Sequence, residues 1–424
     1  MMNTLRQLWK TRDLRNGIMF ILGMLVVFRV AAHIPVPGVD VTSLRDFFGS
    51  NQIFGMMSVF SGGSMDQFSV ITLGVGPYIT ASIIFQLLAM IIPQLEEMQR
   101  EGGAGQERIN YYTRLATVPL ALLQGYAMVT LLQRSANGIV GVLQPFDLAL
   151  AILSMTAGTV LLMWIGELIS ERKLGNGVSI MIFAGIVAGL PTLIQQAAVS
   201  YDSTQLFNLL AFLAIGVATV GGVVLITEAQ RNVPVIYAKR MRGSRLMGGV
   251  ETYLPLRVNM AGVIPIIFAI SIILLPPMVA QFLIGAKTVA VANAAKWVIS
   301  FFQDSLVYGV LYFIMVFVFT YFYTAVVFHP ERVAENLQKQ GGFIPGIRPG
   351  RPTSEYIMKT LNRITPAGAM FLSVIAVLPL LVQQMTGSTS LVVGGTSLLI
   401  VVSVAIEVVK QVKSQLTMRE YEAM

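Results

Sequence analysis

The sequence predicts an all-α polytopic membrane protein, and three observations support that fold class. Apolar side chains make up 55% of the 424 residues and charged ones only 12%, whereas a soluble protein carries about 25% charged residues. The apolar residues are gathered into ten long runs, separated by glycines, prolines and charges. The basic residues are concentrated in every second connection, which is typical of a chain that crosses a bilayer repeatedly.

Each of the ten runs is roughly long enough to cross about 30 Å of hydrocarbon as an α-helix. The predicted spans are residues 18–34, 71–92, 113–132, 148–169, 178–194, 206–227, 258–279, 305–328, 366–385 and 391–409. The fifth and the tenth are the least regular, because glycines and polar residues interrupt them. The first is too long for the apolar core of a cleavable signal peptide.

The distribution of lysine and arginine predicts the orientation of the chain. The N-terminal segment and residues 93–114, 170–177, 228–257, 329–365 and 410–424 together hold 24 of the 29 basic residues. Cytoplasmic connections carry the excess of positive charge in membrane proteins. Both termini are therefore predicted to be cytoplasmic, in agreement with an even number of spans.

Several classes of activity are excluded or disfavoured by what the chain lacks. It contains no cysteine and only two histidines, so neither thiolate chemistry nor a histidine-based metal cluster is expected, and no cofactor is predicted. No acid–base pair lies inside a predicted span, so an enzyme is not predicted. The chain has no GxxxxGK[ST] phosphate loop, so energy for transport would have to come from a partner.

Ionisable residues inside the spans lie near the ends of the helices. Glu167 and Glu407 are close to inner ends, and Arg29 is about one turn from an outer end, where it can reach the interface or act as a buried charge. An ion-coupled transporter usually needs such a group at mid-depth. A secondary transporter with broken helices therefore remains an alternative, but a less favoured one.

The stretch from residue 60 to residue 92 is irregular where a membrane helix should be regular. The SGGS sequence at 61–64 and the GVGP sequence at 74–77 both interrupt apolar runs. Irregular backbone at membrane depth is tolerated where it is buried in protein or lines a water-filled cavity. Two interpretations are open from the residues alone: a short re-entrant element before a kinked span, or a surface hairpin before an ordinary helix.

Two of the basic connections are longer than topology requires. Residues 228–257 include VPVIY at 233–237, which has extended character, and residues 329–365 include FIPGIRPGRP, which is rich in turns. Loops of this kind can be plain positive-inside anchors with no further role. Their length favours docking of a cytoplasmic partner, either RNA phosphates or an acidic protein surface.

Ten sequence blocks, in order along the chain, identify a family. They are RNGIMFILGMLVVFRVAAHIPVPGVD (15–40), MMSVFSGGSM (56–65), LGVGPYITASIIFQLL (73–88), YYTRLAT (111–117), MWIGELISERKLGNGVSIMIFAGIVAGLP (163–191), VIYAKRMRG (235–243), LPLRVNMAGVIPIIFA (254–269), FYTAVVFHP (322–330), GGFIPGIRPGRPTSEYI (341–357) and GGTSLLIVVSV (394–404). The chain resembles the SecY family, the pore subunits of bacterial Sec protein-conducting channels, essentially from end to end.

The resemblance implies two inverted, pseudo-symmetric halves of five spans, residues 1–194 and 195–424, around an hourglass pore. It also implies a short plug helix at about 54–66 and a ring of aliphatic side chains at the waist. The matching plug residues are Phe54, Met57, Phe60, Ser61, Gly62, Gly63 and Met65. The matching ring residues are Val75, Ile79, Val178, Ile182, Ile267 and Ile400. An aliphatic constriction excludes water and ions by dewetting and still deforms around a passing chain.

The family also opens sideways, between spans two and three on one side and seven and eight on the other. The polar cluster in that lateral gate matches Thr80, Gln124 and Asn259. Hydrogen bonds between helices in a membrane contribute about 0.6–2 kcal/mol each, so a signal helix can compete with them.

The partners implied by the resemblance are SecE-like and SecG-like small membrane subunits, a SecA-like ATPase motor, the ribosome, preprotein signal sequences and the lipid bilayer. The docking residues expected in the two long loops are Arg231, Lys239, Arg240, Arg242, Arg245, Arg348 and Arg351. The implied function is a passive protein-conducting channel in the bacterial cytoplasmic membrane, driven by the motor or the ribosome.

Overall fold

The computed structural model describes residues 11–36, 68–134, 144–199, 206–237, 240–242, 245–247, 251–285, 288–386 and 394–422. Helices dominate these ranges, as the apolar runs predict. In chain order they are α1 (Arg12–Ala31), α2 (Gly76–Ile91), α3 (Pro93–Arg100), α4 (Gly103–Arg134), α5 (Pro145–Glu171), α6 (Gly177–Val199), α7 (Leu206–Glu228), α8 (Ile264–Leu283), α9 (Val289–Gln303), α10 (Ser305–Val327), α11 (Pro330–Lys339), α12 (Arg351–Thr386) and α13 (Gly394–Glu422). The strands are β1 (Gln230–Tyr237), β2 (Arg240–Arg242), β3 (Arg245–Met247), β4 (Glu251–Arg257) and β5 (Gly342–Phe343).

Each predicted span overlaps a helix, but not every helix is long and apolar enough to cross a bilayer by itself. Within the described ranges four pass that test: Arg12–Ala31, Pro145–Glu171, Ser305–Lys339 and Arg351–Leu381. Gly76–Ile91 with Pro93–Gln99 makes a fifth if the pair, bent by 108°, is one span. Shorter apolar helices occupy Gly177–Pro191, Ala214–Glu228 and Ile264–Pro277. The protein is an all-α polytopic membrane protein, and the number of ten crossings stays a prediction.

Two helices begin later than the apolar runs predict. The second run starts at residue 71, but α2 begins at Gly76, because Gly74 adopts a left-handed φ of 58° and Pro77 fits the first helical turn. The seventh run starts at residue 258, but α8 begins at Ile264, after Gly262 with a φ of 62°. The preceding residues in both places form turns. The predicted kink near Gly74 is therefore the start of a helix, and the sharp bend lies between α2 and α3.

The helices pack in two groups that meet along two lines. In the first group α2 packs on α4, α4 on α5, α5 on α6, and α1 on both α5 and α6. In the second group α10 packs on α12 and α8, and α13 on α7 and α12. The groups meet where α6 packs on α13, and again where α8 packs on α2 and α4. The division into halves at residue 194 stays a prediction.

Three of the five strands form a small sheet, and the other two pair with each other. In the three-stranded sheet β1 lies between β4 and β5 and is antiparallel to both, with Val233 opposite Leu254 and Ile236 opposite Phe343. Alternate β1 residues Val233 and Val235 are 1% exposed, since a strand buries every second side chain on one face. Strands β2 and β3 form a separate hairpin. The extended character predicted for residues 233–237 is thus present, but the pairing with β5 was not predicted.

Candidate functional site

The six predicted ring residues all belong to one hydrophobic cluster that joins the two helix groups. Val75 precedes α2, Ile79 is in α2, Val178 and Ile182 are in α6, Ile267 is in α8 and Ile400 is in α13. Five are buried, with exposed fractions between 0% for Ile400 and 8% for Ile79. Val178 is partly buried and packs against the same cluster. Helices from both packing groups therefore contribute aliphatic side chains to one continuous core.

Close backbone contacts position the segment that carries Val75. Its start pairs with the residues just after α1. The amide of Val36 donates to the carbonyl of Phe68 at 2.9 Å, and the amide of Val70 donates to the carbonyl of Ile34 at 2.8 Å. On its other side, Gly158 of α5 approaches so closely that a Cβ there would lie 2.1 Å from the carbonyl oxygen of Val70. The non-helical residues before α2 are thus held in buried protein, as irregular backbone at membrane depth requires.

The three predicted gate residues lie on or next to helices that meet at the second line of contact. Thr80 in α2 is buried and donates to the carbonyl of Gly76 at 3.0 Å. Gln124 in α4 is half-buried. Asn259, just before α8, is buried and its Nδ2 donates to the carbonyl of Gly262 at 3.2 Å. Its Oδ1 is a buried acceptor without a hydrogen-bond partner among the described residues.

Two ion pairs link helices near the ends that the charge pattern assigns to the cytoplasm. The guanidinium of Arg114 in α4 lies 2.8 Å from the carboxylate of Glu167 in α5, whose side chain is 22% exposed. Lys410 in α13 lies 2.8 Å from Glu228 at the end of α7. Glu167 is therefore part of an interhelical ion pair within the first packing group.

The two long basic loops, predicted separately as docking sites, fold into one unit. Its core consists of buried side chains from both loops and from the start of α12: Val233, Val235, Leu256, Leu337, Ile344, Ile357 and Leu361. We call the described residues within 230–257 and 330–364 the sheet unit. The sequence offers a weak signal for it, since α11 is strongly amphipathic and needs an apolar partner for Ala334 and Leu337.

Three of the predicted docking arginines are exposed on the sheet unit. Arg231 lies on β1, and Arg348 and Arg351 lie on and just after the turn that leads into α12. That turn is well defined, because Gly346 and Gly350 take left-handed φ values of 77° and 95°, and the Thr353 hydroxyl donates to the Arg348 carbonyl at 2.9 Å. Arg351 is also paired with Glu355 at 3.2 Å on the surface.

Some of the predicted site residues are beyond what the structure describes. The whole plug segment, 54–66, and Lys239 lie outside the described residues. Arg240, Arg242 and Arg245 are on β2 and β3, and only their backbone is described. Among the described residues no group of three or more histidine, cysteine, aspartate or glutamate side chains could hold a metal ion.

A contact missed by the sequence reasoning ties the end of α13 to the other helix group. The Gln415 side chain donates to the backbone carbonyl of Lys173, in the turn between α5 and α6, at 2.6 Å. Lys173 has a left-handed φ of 57°. Leu416 and Leu174 are buried in the main cluster. Nothing in the local sequence signals a contact between residues so far apart in the chain.

Comparison with known proteins gives consistent results. A family model described as SecY matches residues 69–409. The protein translocase subunit SecY of Streptomyces coelicolor is 43% identical over 440 aligned residues, which cover 100% of this chain and 99% of that protein. Two solved structures share the fold at 18% identity: a protein-conducting channel, with a TM-score of 0.61, and Sec61 in the canine ribosome–channel complex from the endoplasmic reticulum, with a TM-score of 0.59. Each alignment covers 93% of this chain and 91% of the other.

The family model covers most of the chain, and the Streptomyces relative matches it from end to end. The solved channel structures have the same fold as this chain, in agreement with that match. This chain belongs to the SecY family.

Proposed function

We propose that this chain forms the pore of a protein-conducting channel. As a member of the SecY family it is a channel subunit and not an enzyme, and it is a multi-pass protein of the bacterial plasma membrane. It passes unfolded preproteins across the bilayer and releases apolar helices sideways into lipid. The observation that carries the proposal is the buried cluster of Val75, Ile79, Ile182, Ile267 and Ile400 on four helical elements of both packing groups. Val178 completes the proposed ring from the side of α6.

The chemistry of that cluster suits a seal for a passive pore. Aliphatic side chains at a constriction exclude ions by dewetting and offer no polar group that would bind the passenger. Among the described residues, the two helix groups meet mainly through packing at the two lines of contact. The cluster can therefore separate when the groups move apart at the line where α8 meets α2 and α4. The work is supplied by a motor or a translating ribosome, because the chain has no phosphate-binding loop of its own.

Ion conductance in planar bilayers tests this function. Ile182→Ser in α6 should open a leak for ions, because a hydroxyl at the waist favours a continuous water column. The matched control is Ile165→Ser in α5, which is equally buried, at 2% exposed, but outside the proposed ring. Deletion of residues 54–66 should give large, frequent and poorly selective openings while the unaltered channel, purified with its small membrane subunit, stays closed.

Two results would contradict the pore assignment. Equal conductance of Ile182→Ser and Ile165→Ser would mean that the proposed ring residues do not form the barrier to ions. Flux that saturates with a small solute and needs an ion gradient would favour a secondary transporter instead.

Sideways release is proposed to occur at the line where α8 packs on α2 and α4. Thr80, Gln124 and Asn259 lie on or next to these three elements, and the buried Oδ1 of Asn259 has no partner among the described residues. An unsatisfied buried acceptor costs about 1–3 kcal/mol. This line of contact is therefore well suited to separate when an apolar signal helix competes for it.

The sheet unit is proposed to dock the motor and the ribosome on the cytoplasmic side, where both termini also lie. Support comes from its charge: Arg231, Arg348 and Arg351 are exposed on a folded surface, which suits phosphates or acidic side chains. Arg348→Ala should weaken binding of both partners. Lys339→Ala is the control, since Lys339 is exposed on the same unit but is paired with Glu335 at 2.9 Å. SecE-like and SecG-like subunits are proposed to brace the two helix groups within the membrane.

A further inference from the structure

Helix α9 lies between α8 and α10, in the connection opposite the sheet unit, and it presents three distinct faces. One face packs against the protein: Ala295 is 3% exposed, Phe302 is packed on the main cluster, and the helix contacts both α8 and α10. Its 15 residues are too few to cross a bilayer. This helix was not predicted as an element from the sequence.

The two remaining faces of α9 differ in chemistry. At about 100° per residue, Asn293, Lys296, Ser300 and Gln303 fall on one exposed stripe, with Val289 as the single large apolar exception. Ala290, Ala294, Trp297 and Phe301 fall on the neighbouring stripe, and all four are exposed. Helix α9 thus has a face packed on the protein, a polar stripe that suits water, and an apolar stripe.

The apolar stripe carries a preformed aromatic pair. The rings of Trp297 and Phe301 are stacked, with centroids 5.2 Å apart and planes at 22°, while the Trp297 residue is 64% exposed. Tryptophan is enriched where a bilayer meets water, because its ring is apolar and its N–H can still form a hydrogen bond. Lys296, next in sequence on the polar stripe, has the length to extend its ammonium group to a headgroup phosphate.

An exposed apolar stripe also runs along α10, the helix that follows α9. Asp304 separates α9 from α10 and caps α10, accepting from the amides of Leu306 at 2.9 Å and Val307 at 3.2 Å. From that cap, exposed apolar residues recur every four positions along α10: Leu306, Val310, Ile314 and Val318. A stripe of this kind on a helix long and apolar enough to span a bilayer suits contact with acyl chains. Helix α9 therefore adjoins the end of the exposed apolar stripe of α10.

We propose that α9 is an interfacial helix whose apolar stripe is embedded in the headgroup region of the outer lipid leaflet. Trp297 and Phe301 lie at the level of the acyl carbonyls, and Lys296 lies beside the lipid phosphates. The apolar faces of such helices enter the interface by about 5–10 Å. The inference goes beyond the pore function and depends on the proposed orientation only for the identity of the leaflet.

Tryptophan fluorescence in brominated lipid vesicles tests the proposal. The chain has three tryptophans, so Trp9→Phe with Trp164→Phe leaves Trp297 as the sole reporter. We expect a larger loss of its emission with bromine near the acyl carbonyl than with bromine near the chain end, and little loss with aqueous iodide. The matched variant adds Trp297→Phe and Ser300→Trp, which moves the reporter three positions onto the polar stripe. Its emission should be sensitive to iodide and weakly sensitive to bromolipid.

Three results would overturn the proposal. Equal quenching of the two reporters by iodide would place both stripes in water. Quenching of neither reporter would mean that a protein partner covers α9. Stronger quenching of Trp297 by bromine at the chain end would place the Trp297 ring inside the acyl region.

If the reporter variants do not fold, the difference in quenching between the unaltered chain and Trp297→Phe gives the same readout. The leaflet is identified with the Ser300→Trp reporter, by confining iodide to one side of the vesicles and asking from which side it quenches the emission.

Discussion

Gly158 shows how closely α5 approaches the segment in front of α2. A Cβ at this position would lie 2.1 Å from the carbonyl oxygen of Val70, which is backbone and has little room to move. Gly158→Ala should therefore lower the free energy of unfolding by about 1–3 kcal/mol through overpacking. Thermal unfolding in detergent measures the change.

Gly23→Ala in α1 is the matched control for that substitution. No atom lies within 4 Å of a Cβ built there, so the usual helix preference for alanine over glycine should stabilise the protein slightly, by up to about 1 kcal/mol. The changes in the free energy of unfolding should therefore have opposite signs in Gly158→Ala and Gly23→Ala. A stable Gly158→Ala protein would mean that the segment 68–75 is not packed as described.

Individual site residues could be predicted only through the family resemblance. Ile79 and Ile182 are two aliphatic residues among many, and nothing in their spacing separates a pore ring from an ordinary core. The structure shows that they are buried in one cluster with Ile267 and Ile400. The missing partner of Asn259 Oδ1 could not be predicted either, because it depends on the turn at Gly262.

At the scale of elements, the ion pair between α4 and α5 gives a quantitative prediction. Arg114 and Glu167 are 2.8 Å apart and partly shielded, whereas Arg108 and Glu101 are 4.0 Å apart and more than half exposed. A double-mutant cycle with Arg114→Gln and Glu167→Gln should give a coupling energy of about 0.5–1 kcal/mol. The same cycle on Arg108 and Glu101 should give none. Equal couplings would argue against a specific link between the two helices.

The core of the sheet unit gives a second prediction at this scale. Leu256 is fully buried between the two loops, and Leu256→Ala should destabilise the unit by about 2–5 kcal/mol. Hydrogen exchange of the β1 amides should speed up accordingly, with little change in the spanning helices. Tyr253→Ala on the same strand is the control, because Tyr253 is 61% exposed. Unchanged exchange in Leu256→Ala would contradict the shared core.

Apolar runs predicted the existence of the helices well and their ends less well. Burial in lipid or protein makes a run apolar, but a glycine at left-handed φ and a proline in the first turn decide where α2 and α8 begin. Helix α9 was missed because it is short and carries polar residues on one stripe. The sheet could be anticipated only in part, since the alternation in β1 is local and its pairing with β5 joins residues about a hundred positions apart.

For the whole molecule, the two lines of contact between the helix groups should differ in function. The chain has no native cysteine, so introduced pairs can be linked without side reactions. A bis-maleimide link between Lys173→Cys and Gln415→Cys, across the side where α6 meets α13, should leave preprotein transport intact. A link between Gln124→Cys and Asn259→Cys, across the side where α8 meets α4, should block transport because the groups can no longer separate.

Reduction-cleavable linkers provide the control for both pairs, since cleavage should restore transport in the second case. Failure of the second pair to link would mean that the predicted gate residues do not face each other. Equal inhibition by both links would mean that neither side is a fixed hinge.

The shared core of the two basic loops has a mechanical consequence. Strand β1 follows α7, β4 leads into α8, and β5 connects α11 to α12. We therefore expect a load applied near Arg348 to reach the ends of several helices at once. One of them is α8, which carries Ile267 and contacts α2 and α4. We expect the sheet to act as a stiff lever, so that a push on it applies a torque to α8. Displacement of α8 would then separate the proposed ring of aliphatic side chains.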